Sequence, residues 1–169
     1  MKIAIGCDHG GIVLKEAILA ELNKRGIEVI DKGCFDSSSV DYPDYGEKVA
    51  EAVACGEADK GILMCGTGIG ISIAANKVKG IRCGVCHDVF TATMCAEHND
   101  ANVISMGGRV VSPRLAAQMV AAWLDTPFGG GRHAGRVAKI TAIENKYSNR
   151  ESHIKAGRWS RRKSPIWAK

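Results

Sequence analysis

Two periodicities alternate along this chain, and that alternation restricts its fold more than any other feature. Short apolar runs at residues 2–6, 27–31, 61–65, 82–86 and 102–106 have strand character, and between them residues 12–25, 43–55, 88–98 and 112–124 carry apolar residues at helical spacing. A strand followed by a helix and another strand returns in the same direction, so the pattern predicts five parallel strands with helices covering both faces. The expectation is an α/β protein with helices on both faces of a five-stranded parallel sheet. In the first helical run Val13, Ala17 and Ala20 are expected to share a face with Leu14 and Ile18. A short helix is expected over 71–77 and another over 136–147. With 46% hydrophobic residues among 169, the chain has enough apolar material for one core. Neither an internal repeat nor a low-complexity linker interrupts residues 1–146.

In open α/β sheets, ligands bind beyond the carboxyl ends of the strands. Those positions hold Cys7, Asp8, His9, Gly10 and Gly11 after the first strand, and residues 65–70 after the third. His87 and Asp88 follow the fourth; Gly107, Gly108 and Arg109 follow the fifth. The loop Gly66-Thr67-Gly68-Ile69-Gly70 is not a nucleotide loop. It reads G-x-G-x-G where a dinucleotide fold needs G-x-G-x-x-G, and no G-K-[ST] follows. Glycines of this kind let several backbone N–H groups converge into a nest for an oxyanion. Cys65 stands where the strand ends and the nest begins, an environment that favours a thiolate. A thiolate beside an anion nest suits proton abstraction next to a carbonyl; the plainer reading makes Cys65 the last core residue of its strand. Asp8 and His9 are candidate ligand contacts or caps of the following helix. His98 and Asn99 close a helix and can serve simply as its C-terminal cap. Arg132, His133 and Arg136 follow three glycines and form either a phosphate grip or a solvated helix start.

Other classes fit poorly. No run approaches the roughly 20 apolar residues of a membrane span, and the start MKIAIGCDHGG meets polar residues too early for a secretory signal, so the chain is expected to be cytoplasmic. Seven cysteines, an odd number beside an ample core, read as reduced thiols. Cys83, Cys86, Cys95 and His98 mimic zinc-ligand spacing, but a separation of three within a strand sends Cys83 and Cys86 to opposite faces. The same geometry argues against a thioredoxin-like pair, and no metal is expected. Seven of the 23 Lys and Arg residues lie in 147–169 beside one of the 18 acidic residues, so the basic charge belongs to a C-terminal tail. Such a tail serves as a solvated extension, a nucleic-acid contact or an intersubunit arm, with Trp159 and Trp167 as anchors in the last case.

The segments CDHGG, VDYPDYGEKVA, CGTGIGISIAANK, GIRCGVCHD, EHNDANVISMGGR and GGRHAGRV, in this order over residues 1–146, resemble the ribose-5-phosphate isomerase B and galactose-6-phosphate isomerase family. The resemblance implies aldose-ketose isomerisation of ribose 5-phosphate and ribulose 5-phosphate without cofactor, metal or nucleotide. It also implies a Rossmann-like three-layer α/β/α sandwich and a homodimer or dimer of dimers with active sites between subunits; neither a membrane nor a nucleic-acid partner is expected. Cys65 matches the catalytic base, and Gly66, Gly68, Ile69 and Gly70 match the loop that holds the enediolate. Thr67 and His98 match residues that open the sugar ring. Asp8 and His9 match sugar and phosphate contacts, Asn99 matches a sugar contact supplied across the dimer, and Arg109, Arg132 and Arg136 match phosphate-binding arginines. Some branches of the family use a glutamate base elsewhere; Cys65 places this chain in the thiol branch. Residues from 147 onward have no counterpart in the family's core pattern. A hexose 6-phosphate isomerase and a noncatalytic phosphosugar-binding module are the alternatives.

Overall fold

The computed structural model describes residues 1–148. The expected basic tail, with Trp159 and Trp167, lies outside the described residues apart from Tyr147 and Ser148. Five strands form a single sheet: β1 (Lys2–Cys7), β2 (Glu28–Asp31), β3 (Lys60–Cys65), β4 (Cys83–Val85) and β5 (Val103–Gly107). Every pairing is parallel, in the order β2-β1-β3-β5-β4. Cys7 pairs with Met64 and Cys65 with Gly107, so the carboxyl ends of the three central strands finish nearly level. The chain moves outward from β1 to β2, then crosses back to β3. The resulting switch point between β1 and β3 opens a crevice at that edge.

Side chains alternate across the sheet with period two. Ile3, Ile5, Ile62, Met64, Ile104 and Met106 face one core layer, covered by α1 (Lys15–Lys24), α4 (Val89–Asn99) and α5 (Pro113–Asp125). Trp123 of α5 is fully buried there, its indole N–H donating to the Ala101 carbonyl at 3.1 Å. Ala4, Leu63, Cys65 and Val103 face the other layer, under α2 (Tyr42–Ala54) and α3 (Ile69–Ala75). The three layers expected from the sequence are therefore present.

Three helices differ from their sequence-based outlines. The first run opens as a 3-10 turn (Ile12–Leu14) before α1, and the buried stripe is Leu14, Ile18 and Leu22. Leu14 and Ile18 of the expected face are buried and Ala17 is half-buried, but Val13 is 56% exposed and Ala20 is exposed, so the expected face is corrected at those two positions. The helix α3 starts at Ile69 because Gly68 adopts a left-handed N-cap conformation, so Ile69 and Gly70 are helical rather than loop. The last helix, α6 (Gly131–Ser148), begins five residues earlier than expected and carries Arg132, His133 and Arg136 in its first turns. It packs chiefly on the end of α4, and leaves Ile140 and Ile143 exposed.

Candidate active site

Cys65 ends β3 and is 4% exposed. Its sulfur accepts the Gly68 N–H at 3.0 Å, an interaction that strengthens when the acceptor is an anion. Gly68 can point its N–H there because its φ is +80°, and a Cβ would stand 2.8 Å from the Met106 backbone. From below, the buried Ser105 hydroxyl donates to the Gly68 carbonyl at 2.9 Å. The loop is thus held from both ends of one residue. Thr67 is exposed, and its hydroxyl accepts the Ile69 N–H at 3.3 Å.

The other central loops close around this one. Asp8 is buried, and one carboxylate oxygen accepts the N–H groups of Gly10 and Gly11 at 2.8 and 3.0 Å, shaping the loop after β1. His9 Nδ1 accepts the Val40 N–H at 3.2 Å, which leaves Nε2 as the donor of the neutral ring. The Arg109 N–H donates to the Gly66 carbonyl at 3.0 Å, and a Cβ at Gly66 would stand 3.4 Å from the Arg109 guanidinium. Arg109 is exposed, with its guanidinium beside Gly66, where an anion can reach it. Asp8, His9, residues 65–70 and Arg109 are therefore gathered at one edge.

Two residues of this edge were not singled out from the sequence. The Tyr42 ring lies against Gly70, where a Cβ would come within 2.7 Å of it, and is 41% exposed. Ser105 is the second. Tyr42 stands inside the segment VDYPDYGEKVA, which marked it only as part of a family pattern. Ser105 lies within an apolar strand where a lone serine carries no signal of its own. Of the remaining candidates at this edge, Asp88 is occupied as the N-cap of α4, accepting the Thr91 N–H at 2.7 Å in a capping box.

His98, Asn99, Arg132 and Arg136 lie elsewhere in the chain. The helix α4 begins beyond the carboxyl end of β4 and runs back toward the opposite edge. Its 11 residues cover about 16 Å at roughly 1.5 Å per residue. At its far end the Asn99 carbonyl accepts from Arg82 Nε at 3.2 Å, and Arg82 immediately precedes β4. The His98 ring stacks on His133 of α6, with centroids 4.2 Å apart and planes 8° from parallel. The Gly129 N–H donates to the Glu97 carbonyl at 2.9 Å, tying the start of α6 to the same end. Burial pushes the His133 imidazole below its usual value, and the charges of His98, Arg132 and Arg136 add to the effect. One chain thus presents two separate clusters: a thiol and glycine nest at the carboxyl edge, and a group of imidazoles and guanidinium groups at the amino edge.

The cysteine spacing that mimics zinc ligands resolves as geometry demands. Cys83 belongs to the core layer under α3, and Cys86 to the layer under α4. They face opposite sides of the sheet. Among the described residues, no helix is long and apolar enough to cross a membrane.

The sequence profile described as Ribose/Galactose Isomerase matches residues 3–140. The chain is 56% identical over 145 residues to ribose-5-phosphate isomerase B of Escherichia coli (strain K12), covering 86% of this chain and 97% of that protein. It is 42% identical over 155 residues to a D-erythrulose-4-phosphate isomerase of Pectobacterium atrosepticum, covering 90% and 99%. Among solved structures, the ribose-5-phosphate isomerase B of Clostridium thermocellum superposes with a TM-score of 0.85 at 60% identity, covering 87% of this chain and 99% of that one.

Proposed function

This chain belongs to the ribose/galactose isomerase family, and from that premise we propose that Cys65 carries the proton between C2 and C1 as ribose 5-phosphate and ribulose 5-phosphate interconvert. The activity is that of a type B ribose-5-phosphate isomerase, an aldose-ketose isomerase. The observation that carries the assignment of the base is the 3.0 Å hydrogen bond from the Gly68 N–H to the Cys65 sulfur at the carboxyl edge of the sheet. Isomerisation needs one group that removes a proton from C2 and returns it to C1, and a thiol can do both. The negative charge that develops on the sugar oxygens is met by the loop of Gly66, Gly68, Ile69 and Gly70. Thr67 and His98 open the furanose ring, His98 as the proton donor, before the open-chain sugar reaches Cys65.

The phosphate is held by His9, Arg109, Arg132 and Arg136, and the sugar by Asp8 and Asn99. A second copy of the chain supplies His98, Asn99, Arg132 and Arg136, because these stand at the amino edge of their own sheet and Cys65 at the carboxyl edge. A homodimer with shared sites is the simplest assembly that joins the two halves. Each charged hydrogen bond to the phosphate contributes about 1.5 to 3 kcal/mol, mostly to positioning.

The test replaces the base. Cys65→Ala is expected to lose turnover and the wash-in of solvent deuterium at C2, while phosphosugar binding stays within a few-fold. Cys65→Ser behaves similarly, since a hydroxyl is too weak an acid to furnish the anion. General-base participation is worth about 10²- to 10⁴-fold, so a loss below tenfold in both variants would remove Cys65 from this role.

A further inference from the structure

Two thiols outside the candidate active site stand almost within bonding distance. The Cys86 sulfur lies 3.5 Å from that of Cys95, against about 2.05 Å in a disulfide, so a closure of about 1.5 Å would join them. Cys86 follows the end of β4 and is fully buried; Cys95, in the middle of α4, is half-buried. Cys95 lines a pocket of about 280 Å³ with Ile81, Ala101, Ile140 and the more deeply buried Cys83, bordered by Asn99 of the amino-edge cluster and wide enough for a small oxidant to reach Cys95. Gly84 makes the approach possible: a Cβ there would overlap the Cys95 sulfur.

We propose that Cys95 and Cys86 are a peroxide-responsive pair, Cys95 taking the oxidant from the pocket and Cys86 resolving it into an internal disulfide between β4 and α4. The Cys95 sulfur attacks a hydroperoxide, its S–O bond forming as the O–O bond breaks, and the departing oxygen leaves as water or alcohol. The Cys86 sulfur then attacks the sulfenic sulfur, the S–O bond breaks, and that oxygen takes the Cys86 proton and leaves as water. Two thiols are oxidised and one peroxide is reduced. The hydrogen bond that Cys86 donates to Cys95 holds the Cys95 thiol below its usual range and pushes Cys86 well above. This matches the division between attacking and resolving thiols.

A second close pair is an internal comparison. Cys7 and Cys34 have sulfurs 3.8 Å apart, but both are buried, and burial pushes the Cys7 thiol up to about 12. Proximity is shared; accessibility and acidity are not.

The experiment treats the full chain carrying Cys55→Ser, which removes the exposed thiol, with hydrogen peroxide at a few equivalents. Quenching with N-ethylmaleimide under denaturing conditions is followed by cleavage after Arg82, Phe90 and Arg109, which separates Cys86 from Cys95. The expected result is a Cys86–Cys95 linked peptide with Cys83, Cys7 and Cys34 alkylated, and its loss after dithiothreitol. In Cys86→Ser, dimedone should label Cys95 at least fivefold more than in the parent. The proposal is overturned if Cys95 remains alkylated after peroxide, if the linked peptide joins Cys7 to Cys34 instead, or if Cys95 passes to the sulfinic acid with Cys86 still free.

Discussion

Gly68→Ala puts the geometry around Cys65 to a quantitative test. Gly68 has φ of +80°, and an L-residue there costs about 1 to 2 kcal/mol. The added Cβ would also stand 2.8, 2.9 and 3.1 Å from the backbone C, Cα and N of Met106. Met106 lies in β5, paired with β3 on one side and β4 on the other, so it cannot retreat; the loop must rise instead. Lifting the loop strains the Ser105 hydrogen bond to the Gly68 carbonyl, worth about 0.5 to 1.5 kcal/mol. Together these come to about 1.5 to 3.5 kcal/mol, or a fall in Tm of roughly 3 to 14 °C for a chain of this size. The same movement withdraws the Gly68 N–H from the Cys65 sulfur. By the scale of other preorganised donors, that lowers kcat about 10²- to 10³-fold. Gly56→Ala is the matched control, because Gly56 has the same φ of +80° with nothing within 4 Å of an added Cβ. It should lose only the backbone component of about 1 to 2 kcal/mol and keep full turnover. Thermal melts and ribulose 5-phosphate formation, assayed well below each variant's Tm, read both effects. A Gly68→Ala protein with the Tm of the Gly56→Ala control and turnover within threefold of wild type would refute the reasoning.

Other expectations concern the assembly, pH and the C-terminus. Cys65→Ala and His98→Ala should each be nearly inactive, yet subunit exchange between them at equal amounts should restore about one quarter of wild-type turnover, since a two-fold hybrid carries one intact site of two. No recovery despite demonstrated exchange would place both residues in the same chain's site. The lowered folded-state value of His133 means that the unfolded chain binds more protons as pH falls through 6.5, so stability should drop below that pH, and His133→Asn should lessen the slope in denaturant melts. An unchanged slope would remove His133 as the source. Removing residues 149–169 should leave turnover within twofold and abolish any salt-sensitive binding to polyanions; a truncated chain that no longer assembles would make the tail a structural arm instead.

Much of the architecture was legible in the sequence because it is written in local periods. Residues 61–65 and 102–106 are short, nearly continuous apolar runs of the kind a strand buried on both faces requires, whereas apolar residues in 43–55 recur every third or fourth position over a longer span, so length and period together separate strand from helix. The carboxyl-edge cluster was legible for a related reason: Cys65 and Gly66 are consecutive in sequence, Asp8 directly follows β1, and Arg109 lies two residues beyond the end of β5. Helix starts were less so. The three glycines before Arg132 read as loop, yet Gly131 opens α6, because glycine's tolerance of positive φ serves a helix entrance as well as a turn.

Strand order and the meeting of distant residues belonged to the tertiary structure alone. Nothing local places β5 between β3 and β4, and that insertion is what seats Ser105 beneath Gly68 and Met106 against its Cα. Nor does any local pattern bring Tyr42 to Gly70, or Cys95 to within 3.5 Å of Cys86. The division of the candidate residues is the sharpest case. In sequence His98 looks like a companion of Cys65, but a parallel sheet requires each helix to return the chain to the amino edge, and His98 travels with α4 to that far end. A sequence records which residues exist; the crossover geometry of the sheet determines which of them one chain can bring face to face and which it holds at opposite edges.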